Sequence, residues 1–201
     1  MTTTLPERSD ERDAAIETVL PLVAEHGWTM AVLARRYAQP DDLALLFPGG
    51  AIDLIEAYCD LADRQMQADA ALQDTTGKGL TARVRQAVAL RFARQRPYRE
   101  AIRRALGVLA LPANTGVSLR ITLRTVDSIW AAAGDRSADF SWYTKRAILG
   151  VVYATTLLYW VRDYGDDDTA TLTFLDRRLA GVGRLGKTRA QLGRAVARFR
   201  P

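Results

Sequence analysis

Thr29-Met30-Ala31-Val32-Leu33-Ala34-Arg35-Arg36-Tyr37-Ala38-Gln39-Pro40-Asp41-Asp42-Leu43-Ala44-Leu45-Leu46-Phe47-Pro48-Gly49-Gly50 is the stretch that decides the fold. Met30, Leu33, Ala34 and Tyr37 stand at i, i+3, i+4 and i+7, the spacing of one helix face, with Thr29 expected as the cap. Gln39-Pro40-Asp41-Asp42 turns the chain into another short helix, and Phe47-Pro48-Gly49-Gly50 ends it. Upstream, Ile16, Val19, Leu20 and Val23 repeat the spacing and predict a helix from about Ser9 to Glu25 that Gly27 stops. Three short helices of which the last two are joined by a turn resemble a helix-turn-helix unit.

Working outward, the stripe Ile52, Ile55, Tyr58/Cys59, Ala62, Met66 predicts a long helix over Ala51 to about Leu72, followed by the loop Thr75-Thr76-Gly77-Lys78-Gly79. Thr81 to Gln95 and Tyr98 to Leu109 are two more helices, separated by Pro97, which cannot continue the first. After the breaker Leu111-Pro112-Ala113-Asn114-Thr115-Gly116, Val117 to Ala133 carries the stripe Leu119, Leu123, Val126, Trp130, Ala133. Gly134-Asp135-Arg136-Ser137 turns the chain into its most apolar helix, Ser141 to Tyr164, and Asp166-Asp167-Asp168 is expected to cap a helix through Leu179. No segment alternates with the period of a strand. The expectation is an all-α protein of about ten helices.

A chain of 201 residues that is 48% hydrophobic can bury one good core. Cys59 is its only cysteine, which excludes an internal disulfide and a thiolate cage for zinc and fits a reducing compartment. His26 is the only histidine, so neither a histidine-rich metal site nor a histidine-based triad can be assembled. The opening Met-Thr-Thr-Thr-Leu-Pro-Glu-Arg-Ser-Asp-Glu-Arg-Asp has no apolar core and is acidic, unlike a secretory or organellar leader, so a bacterial-type cytoplasm is the expected compartment. The longest apolar run, Ala147 to Val161, is 15 residues, too short to span a bilayer unaided.

The net charge of +5 is unevenly distributed. Residues 1 to 76 hold five arginines and fourteen acids, residues 77 to 182 seventeen basic and nine acidic side chains, and residues 183 to 201 six basic side chains and no acid. The presumptive recognition helix, Asp42-Leu43-Ala44-Leu45-Leu46-Phe47, has no donor side chain, and Asp41 and Asp42 would face the phosphates, so no DNA binding is expected. In the last segment Leu185, Leu192, Val196 and Phe199 keep one narrow stripe while Arg184, Lys187, Arg189, Arg194, Arg198 and Arg200 fill the rest. That pattern suits a helix lying in an anionic membrane interface; its alternative is a solvated basic tail, and Gly183, Gly186 and Gly193 weaken the helix off the membrane.

Six stretches, in order, are more specific than periodicity: Leu46-Phe47-Pro48-Gly49-Gly50; Ala110-Leu111-Pro112-Ala113-Asn114; Val126-Asp127-Ser128-Ile129-Trp130; Ala133-Gly134-Asp135-Arg136-Ser137-Ala138-Asp139; Ser141-Trp142-Tyr143-Thr144-Lys145-Arg146-Ala147; and Phe174-Leu175-Asp176-Arg177-Arg178. Over about residues 13 to 182 they resemble the lipid-binding coenzyme Q biosynthesis family called Coq nine. The resemblance implies a TetR-like fold that has given up DNA, binds an isoprenoid quinone or phospholipid, and delivers a quinone intermediate to the di-iron demethoxyubiquinone hydroxylase. Together with the basic stripe of the last segment, these readings divide the chain into a helix-turn-helix-like unit (9–50), a helical lipid-binding and dimerisation region (51–182) and a basic membrane-contacting tail (183–201). The resemblance also implies a homodimer peripherally associated with the bacterial inner membrane.

Trp142 and Tyr143 open the most apolar helix, followed by Lys145 and Arg146. Neighbours on a helix lie about 100° apart, so one interior can hardly bury both rings; the choice is between core packing and a partner-binding patch, which by resemblance would meet the hydroxylase. On the same helix Leu149, Tyr153, Thr156 and Trp160 line one face and Val151, Thr155 and Leu158 another, so a lipid chain, a second subunit or the protein's own core must cover it. Leu106, Leu109, Leu123, Val126, Trp130, Tyr153 and Leu157 are the candidate walls of an isoprenoid slot. Asp127, Asp135 and Asp139 surround a turn, where aspartates usually cap helices and fix backbone, and no Glu-x-x-His spacing exists; the reading is no enzyme, no cofactor and no metal. The alternative function is a TetR-type transcriptional regulator with an apolar effector.

Overall fold

The Ser9 hydroxyl accepts the Arg12 backbone N–H at 3.1 Å, and this cap starts α1 (Asp10–His26), whose first turn carries Asp10, Glu11 and Asp13 against the positive end of the helix dipole. Gly27, at φ 74°, returns its N–H to Val23 O at 2.9 Å and ends the helix where left-handed backbone favours glycine. The computed structural model describes residues 6–35, 45–135, 142–165 and 167–181. There follow α2 (Met30–Ala34), α3 (Gly50–Ala71), α4 (Leu80–Gln95), α5 (Arg99–Leu109), α6 (Thr115–Ala132) and α7 (Trp142–Trp160), and residues 169–181 are also helical. A 3-10 turn at Arg96–Tyr98, holding Pro97, parts α4 from α5, and another at Pro112–Asn114 parts α5 from α6. No strand occurs among the described residues, and seven α-helices are delimited there, fewer than the ten expected.

Two expected caps differ. The Thr29 side chain makes no capping bond to α2; its carbonyl accepts from Val32 N at 3.2 Å instead. Of the three aspartates before residue 169, Asp167 accepts the Thr169 N–H at 2.9 Å, whereas Asp168 is buried and accepts the Trp160 indole N–H at 3.0 Å. Burying an indole requires a partner for its N–H, and that need outweighs capping at Asp168. Of the expected recognition helix Asp42–Phe47, residues 42–44 lie outside the described residues, and Leu45 and Leu46 are helical.

The chain divides into two compact units, Met1–Ser137 and Ala138–Pro201, so the boundary drawn at residue 50 falls inside the first. In the first unit α3 is the central helix, in contact with α1, α4 and α6. Leu54, Ile55 and Met66 on α3 are fully enclosed, as are Ile16, Phe92 and Ile129 around them. Each such side chain contributes about 1.5–3 kcal/mol through removal from water. The Trp28 ring packs tilted against Tyr58, centroids 5.2 Å apart, and its indole N–H donates to Ala101 O at 2.7 Å, joining the segment after α1 to α3 and α5.

The same helix also carries a row of acids. Asp53, Glu56, Asp60 and Asp63 stand at i, i+3, i+7 and i+10, one helical row, and arginines converge on it. From α1, buried Arg12 reaches Asp53 at 2.7 Å, donates to Leu46 O and lies 4.5 Å over the Phe47 ring, which fixes the Phe47-Pro48-Gly49-Gly50 corner. From α6, Arg120 grips Glu56 at 2.8 and 2.9 Å, and Arg124 reaches the same carboxylate at 3.1 Å. Arg8 and Arg64 hold Asp60, and Arg64 also clamps Asp13 of α1 at 2.7 and 2.8 Å. Deepest lies Asp63, paired with buried Arg91 of α4 and accepting the Thr125 hydroxyl of α6 at 3.1 Å.

Burial pushes the Asp63 carboxyl up, against the opposing charge of Arg91. Burial acts the same way on Glu56 and Asp60, but the guanidinium hydrogen bonds outweigh it and hold both below the ordinary carboxylate range. Those two carboxylates therefore contribute stability that is fully present above the ordinary range and is lost as pH falls through their depressed values. Urea titrations should show that loss on acidification. Arg91→Met should cost about 3–5 kcal/mol at neutral pH, because Asp63 would be left buried without its cation. A loss below about 1 kcal/mol would mean that Asp63 is neutral in the folded chain.

In the second unit Tyr159 stacks on Phe174 at 4.7 Å, and Arg178 covers that ring at 4.7 Å. The Thr171 hydroxyl donates to Asp163 at 2.7 Å. With the Trp160–Asp168 bond these contacts set the run 169–181 against the end of α7. Trp160→Phe, which removes the indole hydrogen bond from the buried Asp168 carboxylate, should lower stability by about 0.5–1.5 kcal/mol in calorimetry or urea unfolding, and a neutral effect would show that this bond contributes nothing.

Candidate functional site

A helix that supports a core with one face and a ligand with another has to leave apolar side chains uncovered, and α6 does so. Ile121, Val126 and Ile129 turn inward with Arg124 and Thr125. Leu119 and Leu123, at i and i+4, are 59% and 44% exposed, and Trp130, at i+11, continues the row half-buried. Exposed Leu111 lies just before α6, and on α5 Leu106 is half-buried and Leu109 buried. Of the seven candidate slot residues, Leu106, Leu109, Leu123, Val126 and Trp130 thus belong to the first unit, with Val126 wholly enclosed in its core.

Tyr153 and Leu157 belong to the second unit, on α7, where Tyr153 is buried and Leu157 half-buried. The two faces read on α7 are distinguished by exposure: Leu149, Tyr153, Thr156 and Trp160 are buried, while Val151 and Leu158 are exposed. At its start Tyr143 is 77% exposed, and Lys145 and Arg146 are half-buried. Trp142 belongs to the α7 backbone. The tail residues Leu185, Lys187, Arg189, Leu192, Arg194, Val196, Arg198 and Phe199 lie outside the described residues.

Among the described residues, no group of three His, Cys, Asp or Glu side chains is placed to hold a metal ion. Burial pushes the Cys59 thiol up to about 12, so it is protonated at neutral pH and a poor nucleophile. No single described helix is long and apolar enough to cross a membrane. The buried ion pairs around α3 escaped the sequence reading, which followed the apolar stripe of that helix; the available signal was the acid spacing 53, 56, 60, 63 on the same helix.

The geometry is an all-helical scaffold with uncovered apolar and aromatic side chains. A crystal structure titled a TetR transcriptional regulator from Nitrosomonas europaea superposes with a TM-score of 0.70, covering 86% of this chain and 97% of that one, at 23% identity. The fold is therefore TetR-like. Residues 115–186 match the family model described as COQ9. The Ubiquinone biosynthesis protein COQ9, mitochondrial, of Xenopus tropicalis is 32% identical over 194 residues, or 90% of this chain and 61% of that protein. Its Rattus norvegicus counterpart is 31% identical over 88% of this chain and 60% of its own length, and the Homo sapiens protein 40% identical over 109 residues, 54% of this chain and 34% of that one. The chain is similar to these COQ9 proteins over most of its own length, and it spans about three fifths of the length of the first two.

Exposure separates the residues of α6 by consequence. Leu123→Gln should change stability by no more than about 0.5 kcal/mol, whereas Ile129→Ala should cost about 2–5 kcal/mol through a core cavity, both read by urea unfolding. A destabilisation by Leu123→Gln as large as that of Ile129→Ala would show that Leu123 is a core residue.

Proposed function

We propose that the chain is a non-enzymatic accessory protein of ubiquinone biosynthesis that binds an isoprenoid quinone intermediate at a membrane surface and presents it to the demethoxyubiquinone hydroxylase. The observation that carries this reading is the row Leu119, Leu123, Trp130 on α6, apolar and only partly covered, in a chain whose relatives are named ubiquinone biosynthesis proteins. An isoprenoid tail needs a long surface poor in polar groups, and this row supplies part of one. Of the remaining slot residues, Leu106 and Leu109 of the same unit are proposed as its surroundings.

Tyr143, with Trp142, Lys145 and Arg146, is proposed as the patch that meets the hydroxylase, since an exposed aromatic beside cations is a typical anchor at a protein interface. The stripe and cations of residues 183–201 are proposed to hold the protein at the cytoplasmic face of a bacterial inner membrane. A homodimer is part of the same reading. DNA binding is not: exposed Asp10, Glu11, Glu17 and Glu25 make the outer side of α1 acidic, and such a surface repels phosphate.

Tyr143→Ala should weaken association with the purified hydroxylase by about tenfold or more while the melting temperature stays within a degree or two of wild type, because interface anchors contribute more than about 1.4 kcal/mol each. Wild-type affinity in that variant would refute the patch. Deleting residues 183–201 should abolish flotation with anionic liposomes; equal flotation of both proteins would move the membrane contact elsewhere. Specific, sub-micromolar retention of duplex DNA in a gel shift would sink the accessory reading in favour of a regulator.

A further inference from the structure

The chain has one histidine, and it stands where α1 gives way to α2. His26 Nε2 lies 3.3 Å from Nη1 of Arg35, the residue that ends α2, and 3.9 Å from Oε2 of Glu25 on its own helix. A guanidinium has donors only and keeps its charge, so the contact with Arg35 exists only while Nε2 offers a lone pair, with the ring neutral and its proton on Nδ1. Once protonated, the same nitrogen is a donor. It then opposes Arg35 and favours the exposed Glu25 carboxylate and the carbonyl end of α1, where the helix dipole attracts a cation. Arg104 of α5 also faces this corner: its Nη1 is 3.7 Å from where a Cβ on Gly27 would stand, and Glu100 holds it from the same helix.

The two ends of α2 are fastened differently. A helix of five residues is too short to hold itself, and Thr29 gives it no side-chain cap. Its start follows Trp28, which is fixed on Ala101 O, and buried Val32 and Leu33 anchor its middle. At its far end the tie to α1 is the solvent-exposed contact between Arg35 and His26. We infer that His26 and Arg35 form a proton-operated latch: the neutral ring holds the end of α2 to α1, and the charged ring turns to Glu25 and releases that end. Histidine changes charge between about pH 5 and 8, so the latch works within the physiological range. The Asp60 carboxylate, which binds Arg8 ahead of α1, is held below the ordinary carboxylate range, so mild acid leaves that anchor charged while the latch opens. The latch is independent of the lipid reading of α6.

Hydrogen exchange of the full chain, corrected for the intrinsic effect of pH on exchange, should be followed at the α2 amides from about pH 7.5 to about pH 5.5, the span in which histidine charges. His26→Gln, which keeps an acceptor and cannot charge, and Arg35→Gln, which removes the opposing cation, should be measured beside it. Wild-type protection at α2 should fall by about two- to fivefold on acidification, which is what an exposed charge pair is worth, while the amides of Leu54 and Ile55 in α3 stay unchanged. The fall should vanish in His26→Gln and shrink in Arg35→Gln. With a single histidine, one imidazole proton resonance reports the ring's charge, and the loss of protection at α2 should follow its titration. Constant protection in the wild type, a fall that persists in His26→Gln, or a fall shared equally by α3 would each overturn the latch.

Discussion

The fold depends on an acidic row in the middle of its central helix. Asp53, Glu56, Asp60 and Asp63 run down α3, and side chains from α1, α4 and α6 reach in to pair with them. Ion pairs removed from water return little net stability compared with a hydrophobic replacement, because desolvation offsets most of the attraction, yet breaking one is costly. We take their role here to be register: Arg120 and Arg124 meet one carboxylate of α3 only at one rotation and height of α6, and Thr125 on the same turn meets Asp63. Leucines in those positions would tolerate sliding.

Register on one side of α6 has consequences on its other side. With Arg124, Thr125 and Ile129 turned inward, Leu119 and Leu123 are held outward. The ionic contacts and the proposed lipid surface are thus two faces of one helix, and an amphiphile lying along the leucine row would find it already in place, at a small cost in ordering. The acids of the α3 row are matched by arginines, and the surface residues on which the proposed function draws are the leucine row and Tyr143.

Local signals made most of the helix limits legible in the sequence. Gly27 ends α1, Pro97 parts α4 from α5, and the Leu111–Gly116 breakers part α5 from α6, each where a missing donor or a left-handed residue stops an α-helix. The stripe of α6 was legible as a shared face, but its exposure was not: Leu119 and Leu123 are uncovered, whereas Val126 and Ala133 of the same stripe are buried. What was not legible is pairing between distant helices. Counting charge by segment assigns fourteen acids to residues 1–76 as if all faced solvent, but Glu56, Asp63 and Asp69 are matched by Arg120, Arg124, Arg91 and Arg94 from beyond that segment. Among the described residues, exposed Asp10, Glu11, Glu17 and Glu25 keep the outer side of α1 acidic. Asp168 was misread for the same reason, because its partner, Trp160, is tertiary rather than the next turn of chain.

The most direct test of the central claim, that this fold presents an apolar face to a lipid, is the lipid content of the protein itself. Full-length chain purified without detergent from a ubiquinone-producing host should be analysed by native mass spectrometry and solvent extraction, beside the Leu119→Gln/Leu123→Gln variant, whose fold should be unperturbed. The account predicts an isoprenoid quinone or phospholipid near one equivalent in the wild type and its loss from the variant. Lipid-free wild-type protein that also takes up none when supplied, or a variant that retains its lipid in full, would contradict it.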